Sequence, residues 1–205
     1  MIERMGATLI SYTFHPIFIP LYGMIYLMWC NPYKIPPPPE RMGVYLIGWT
    51  IIYGIVVPMI ILEVVRREGF ITDFKLSNRK ERAIPILTMM LLMLFNYFLM
   101  SRQPDCPRVA SDIMQGGFIS LFIAYMINVA NFKISLHALG MGALISLTVF
   151  SSIFSIKAVS PILMMVVFAA GLVGTCRLIL DEHEPNELAA GYMLGFIGQT
   201  LAFML

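Results

Sequence analysis

Residues 158–205 read AVSPILMMVVFAAGLVGTCRLILDEHEPNELAAGYMLGFIGQTLAFML, two long apolar runs split by one short polar cluster, Asp181-Glu182-His183-Glu184-Pro185-Asn186-Glu187. Each run approaches the roughly 20 apolar residues that an α-helix needs to cross about 30 Å of hydrocarbon. The cluster is too short to be a domain and too polar to lie in lipid. It is expected to be a turn at the membrane surface, with Pro185 in the first turn of the final helix, where its missing N–H costs nothing.

The same alternation runs back through the chain. Apolar stretches cover about Ala7–Cys30, Met42–Val65, Ala83–Met100 and Ile113–Val129, then a run ending near Phe154, then Ala158–Leu180 and Leu188–Leu205. This pattern predicts an all-α, polytopic transmembrane bundle of about seven helices. The two shorter runs, 83–100 and 113–129, also fit a second arrangement of five spans plus a re-entrant hairpin. Hydrophobic residues form 59% of the 205 residues and charged ones 13%, with a mean hydropathy of +0.80. That is too little charge to cover the surface of a soluble domain, so residues 1–205 are expected to form a single integral membrane domain. The expected location is a plasma membrane of the bacterial inner-membrane type. The first run, which contains His15, Pro16 and Pro20, is expected to be a permanent span rather than a cleaved signal.

Several classes fall away on composition. A net charge of +2 without a basic stripe argues against nucleic acid. Cys30, Cys106 and Cys176 are far apart, with no CxxC pair, and give neither a disulfide framework nor a zinc site. The cluster 181–187 is rich in oxygen and nitrogen ligands, but it has no HExxH, and Arg177 would repel a divalent ion. No metal and no cofactor is expected.

Polar residues gather in three segments: the charged stretch 66–82, the short gap holding Asn131, Lys133, Ser135 and His137, and the stretch from Arg177 to Glu187. Two apolar runs separate each segment from the next. Whether a pair crosses and returns or only dips, all three segments emerge on one face. Lys75, Arg82 and Arg177 would repel one another there unless an anion or carboxylates stood between them. Arginine's planar fork suits phosphate oxygens, and lysine acts as a point charge. Ser135, near a helix start, would add a donor. His183 and Glu187 share a helical face at i, i+4 spacing, so the carboxylate could hold one ring nitrogen and leave the other as a nucleophile. His137 could supply a proton to a leaving group. His15, beside Pro16, reads as a structural histidine.

These segments resemble the signature of the type-2 phosphatidic acid phosphatase superfamily, relatives of the vanadium haloperoxidases. Lys75 and Arg82 are separated by six residues; Ser135-Leu136-His137 stands where that family has Ser-Gly-His; Arg177 is followed by five residues, His183, three residues and Glu187. His183-Glu184-Pro185 and Ala189-Ala190-Gly191 are similar to the family's continuation. The resemblance covers about 75–205. It implies that Lys75, Arg82, Ser135 and Arg177 hold phosphate and that His183 attacks phosphorus to form a phosphohistidine. It further implies that His137 protonates the leaving alkoxide and that Glu187 orients His183. No metal would be needed, and the substrates would be lipid phosphates or prenyl diphosphates. The chain departs from the signature at Ala83, Leu136, Cys176 and Glu187, which replace proline, glycine, serine and aspartate.

Two alternatives stand beside the phosphatase. One is a weak or inactive member that binds or carries lipid phosphates, since Leu136 removes the small residue that lets backbone approach phosphate. The other is a small transporter with Asn96, Asn128, Asn131 and Gln199 along a path. Setting aside Lys75, Arg82 and Arg177, the two faces carry six and five cations, so the positive-inside rule favours neither orientation.

Overall fold

A computed structural model describes residues 2–30, 40–70, 79–153 and 161–205. The prolines of 36–39 and Lys75 lie outside these. Among the described residues every regular element is a helix, without a strand: α1 (Ile2–Thr13), α2 (Ile19–Cys30), α3 (Glu40–Ile51), α4 (Val57–Arg67), α5 (Arg79–Ser101), α6 (Arg108–Val129), α7 (Leu136–Ile153), α8 (Pro161–Ile179) and α9 (Pro185–Met204). A π-helical turn, Ile52–Val56, joins α3 to α4 in one rod. Pro58 follows it, and a proline ring that cannot donate to the residue four back favours such a widened turn.

Among the described residues, five helical stretches are long and apolar enough to cross a membrane: Arg41–Arg67, Ala83–Ser101, Arg108–Val129, Leu136–Ile153 and Pro161–Ile179. Both of the shorter predicted runs are among them. The polar connector expected over 101–112 is cut short because α6 begins at Arg108. Ser111 Oγ donates to the Arg108 carbonyl at 2.8 Å, and Asp112 is buried one turn after Arg108. Polar residues that read as a loop therefore form the first turn of a helix. The outer face is apolar as lipid requires: Met164, Met165, Val167, Phe168 and Leu172 of α8 are all exposed.

The first predicted span is not one helix. It breaks at Phe14-His15, and a 3-10 turn, Pro16–Phe18, leads into α2. The cause is local. A residue before proline is driven to extended backbone, and His15 has φ −61° and ψ 138°. Its Nδ1 then accepts from the Ile17 N–H at 3.3 Å, so the imidazole caps the next turn.

Helix α9 is the hub. Tyr192 Oη donates to the Ala170 carbonyl of α8 at 2.6 Å. Ser146 of α7 and Thr200 share a hydrogen bond of 2.9 Å. Gln199 Nε2 donates to the Asp112 carbonyl of α6 at 3.0 Å. Small residues let the backbones close up: a Cβ on Gly191 would stand 2.6 Å from the Ser135 carbonyl oxygen, and one on Gly195 would stand 2.9 Å from Ala143 N. Close backbone approach and interhelical hydrogen bonds are what hold helices together where lipid tails remove the hydrophobic drive. Here they fix α7 and α9, the carriers of His137 and Glu187, against each other.

Candidate functional site

Helices α6 and α8 end in the same way. Asn131 (φ 72°) and Asp181 (φ 57°) adopt the left-handed conformation. The Phe132 N–H then reaches the Ile127 carbonyl at 3.2 Å, and the Glu182 N–H reaches the Arg177 carbonyl at 3.1 Å. Asparagine and aspartate tolerate this backbone better than other side chains. Each cap turns the chain sharply into a short segment, 132–135 after α6 and 182–184 after α8. These two segments lie side by side: the Ser135 N–H donates to the Glu187 carbonyl at 3.3 Å, and Lys133 Nζ donates to the Glu182 carbonyl.

His183 and Glu187 meet as their spacing predicts. Nδ1 of His183 is 2.6 Å from Glu187 Oε2, and the same oxygen accepts from the Glu184 N–H at 3.3 Å. Glu187 thus caps α9 and holds the imidazole at once. With Nδ1–H donated to a carboxylate, Nε2 is the ring nitrogen left to react. The His183 side chain is 7% exposed. Burial pushes its imidazole below its ordinary value of 6.5, Lys133 and Arg177 push the same way, and Glu187 opposes them. The ring is therefore neutral at neutral pH.

His137 occupies the first turn of α7. Its Nε2 is 3.1 Å from the Ser11 carbonyl of α1. A carbonyl can only accept, so Nε2 carries a proton and Nδ1 is the nitrogen left for acid–base work. Ser135 is fully buried at the start of the same helix, where its Oγ accepts from the Ala138 N–H at 3.4 Å. Arg177 sits in the last turn of α8, its guanidinium 3.5 Å from Glu182 Oε2 and its side chain 13% exposed. Lys133 Nζ lies 3.8 Å from Glu187. The carboxylates that cations so close together require are Glu182 and Glu187.

His137, His183 and Arg177 line one cavity of about 620 Å³. Its polar end also includes Glu182, Ser11 and His15. Away from these it is mostly apolar, running between Met59, Ile86, Met93, Ile113 and Leu147, with Ser120, Asn128 and Gln199 as the polar groups along that length. A cavity of roughly 300–1,000 Å³ with a few convergent polar groups is the usual form of a ligand site. This one has charge and imidazoles at one end and hydrocarbon at the other.

Five of the seven predicted site residues, Ser135, His137, Arg177, His183 and Glu187, are thus brought to one place. Of the other two, Lys75 lies outside the described residues, and Arg82 is placed only as a backbone position in the first turn of α5. Of the asparagines and glutamine proposed for a path, Asn128 and Gln199 line the cavity. Asn96 is fully buried elsewhere in the described structure, and Asn131 is the exposed cap of α6.

Four residues at this place lie outside the seven predicted for the site: Ser11, His15, Lys133 and Glu182. His15 keeps its structural role as the cap of the Pro16–Phe18 turn, and its ring also packs edge-on against His137, centroids 5.4 Å apart at 84°. The available signal was Pro16, which marks the helix break that presents His15 to the site. Lys133 had the signal of standing two residues before Ser135.

The fold and site define an all-helical integral membrane protein with a histidine-lined amphipathic cavity. No protein-family model, curated protein or solved structure matches the chain.

Proposed function

We propose that this protein is a membrane lipid phosphate phosphatase that works through a phosphohistidine. The observation that carries the reading is the His183–Glu187 pair, held at 2.6 Å at the polar end of a cavity it shares with His137 and Arg177. The apolar length of that cavity suits an acyl or prenyl chain, and the Arg177 guanidinium and the imidazoles at its polar end suit a phosphate.

The chemistry follows from the nitrogens left unengaged. The Nε2 lone pair of His183 forms a bond to phosphorus, and the bond from phosphorus to the lipid oxygen breaks. A phosphate arriving with one proton gives it to Nδ1 of neutral His137, which passes it to the departing alkoxide while its own Nε2–H stays on the Ser11 carbonyl. Water then attacks phosphorus and gives a proton to Nδ1 of His137, which hands it to the departing phosphate, and the N–P electrons return to His183. Arg177, with Lys75 and Arg82 as proposed partners, would carry the phosphoryl charge.

The decisive assay is phosphate release by the purified protein in detergent from phosphatidic acid and from a prenyl diphosphate. Release should fall to background in His183→Ala. Equal release by wild type and His183→Ala would overturn the phosphohistidine mechanism.

A second reading, a binder or carrier without turnover, is favoured by one feature: Leu136 lines the cavity between Ser135 and His137, where a glycine would expose backbone to phosphate. Saturable binding of phosphatidic acid without release, converted to release by Leu136→Gly, would favour this reading.

A further inference from the structure

Helix α1 lies outside the stretch that carries the phosphatase-like motifs, yet it forms a wall of the polar end of the cavity through Thr8, Ser11, Tyr12 and the adjoining His15. Two of these groups are in states that invite a ligand. Ser11 is 6% exposed, and its hydroxyl has no hydrogen-bond partner among the described residues. A buried hydroxyl left unpaired is costly, and such groups in native proteins usually point to a ligand or ordered water. His15 has committed Nδ1 to the Ile17 N–H, so its neutral ring carries the proton on Nε2 and presents a donor. The two residues flank the group that matters: the Ser11 carbonyl holds His137 Nε2 at 3.1 Å, and the His15 ring packs against His137.

We infer that Ser11 and His15 form a headgroup subsite on the N-terminal segment, donating Oγ–H and Nε2–H to an oxygen of a phosphate whose apolar chain lies in the cavity. The inference rests on the lipid phosphate reading above and adds two binding residues that the motif pattern does not contain. It also gives the helix break at His15-Pro16 a purpose. A continuous first helix would carry position 15 about 100° past position 14 along a straight axis, whereas the break lets α1 end against α7 and α8 with both donors at the cavity.

The test uses the full chain in detergent with His183→Ala to stop turnover, and two probes, dodecyl phosphate and inorganic phosphate. Ser11→Ala should weaken both probes roughly tenfold, the loss expected for one hydrogen bond to a charged group. The same variant should melt no lower than its parent without ligand, because the hydroxyl it removes has no partner to lose. His15→Phe keeps a ring against His137 and should weaken both probes similarly, and Ser11→Thr should restore affinity. Wild-type affinity in Ser11→Ala and His15→Phe overturns the subsite and leaves the phosphatase reading intact. A clear drop in the ligand-free melting temperature of Ser11→Ala also overturns it, since the hydroxyl would then be structural. If the parent binds neither probe and wild type releases no phosphate, the functional reading fails and takes the subsite with it.

Discussion

Replacing Gly195 by alanine tests whether the α7–α9 contact sets the geometry of the site. The added Cβ would stand 2.7 Å from the Leu139 carbonyl carbon and 2.9 Å from Ala143 N, against the 3.4 Å at which ordinary contact begins. The nearest atom of all is the Leu139 carbonyl oxygen, and every one of these neighbours is α7 backbone, so no side chain can rotate away and the two helices must separate by well over half an ångström. Overpacking of this kind costs about 1–3 kcal/mol, and rigid neighbours put it near the top of that range. Alanine recovers up to about 1 kcal/mol of helix propensity, leaving a net loss of roughly 2 kcal/mol. For a chain of this size that corresponds to a melting temperature lower by roughly 4–8 °C. The separation also loosens the Ser135 N–H to Glu187 carbonyl bond of 3.3 Å, so the proposed phosphate release should fall along with stability. Gly171 of α8, whose added Cβ would meet nothing within 4 Å, provides the opposite case. Gly171→Ala should raise the melting temperature through propensity alone. The assay is thermal unfolding in one detergent, followed by turnover below the transition. A Gly195→Ala protein that melts with or above wild type would refute the close-packing account of the site.

Three further outcomes are expected. His183 is held below 6.5 in the folded chain. Below that pH the unfolded chain takes up a proton that the folded chain refuses, so stability falls as pH drops through 6.5 and levels off only below the folded value. The pH dependence of the melting temperature between pH 7 and 5 should therefore shrink in His183→Gln, and a steeper dependence in the variant would contradict the assignment. Asn96 is fully buried with neither amide atom hydrogen-bonded among the described residues. Asn96→Leu should therefore stabilise by about 1 kcal/mol, read as a higher melting temperature; a lower one would show that the amide has a partner. Arg4 and Asp181 form an ion pair at 2.6 Å, but their side chains are 65% and 76% exposed. Such pairs contribute little, so Arg4→Gln should leave thermal unfolding unchanged at moderate salt, and a large shift would mean that the pair anchors α1.

Part of the candidate site is local, and that part was legible. His183 and Glu187 meet because residues four apart at a helix start face each other, and Pro185 marks where that start falls. Ser135 and His137 belong to one helix N-terminus for the same reason. The convergence of the three polar segments also follows from the count of apolar runs between them, since lipid forces each run to be helical. The break at His15 was less legible. Hydropathy averages over Ala7–Cys30, whereas the backbone there obeys a single proline.

The apolar runs and their polar punctuation determined by themselves that this chain is a helical membrane protein and that Ser135, His137, Arg177, His183 and Glu187 share one end of it. Their physical basis is short-range: hydrocarbon admits only internally hydrogen-bonded backbone, and helical spacing sets which neighbours touch. Tertiary structure alone decided that α1 returns to that end to place Ser11 and His15 beside His137, and that Lys133 reaches across to Glu182 and Glu187. It also decided that a 620 Å³ cavity joins the histidines to hydrocarbon. These contacts join residues as far as 126 positions apart, in the case of Ser11 and His137. They depend on how glycines let helices approach, which no stretch of sequence read alone contains.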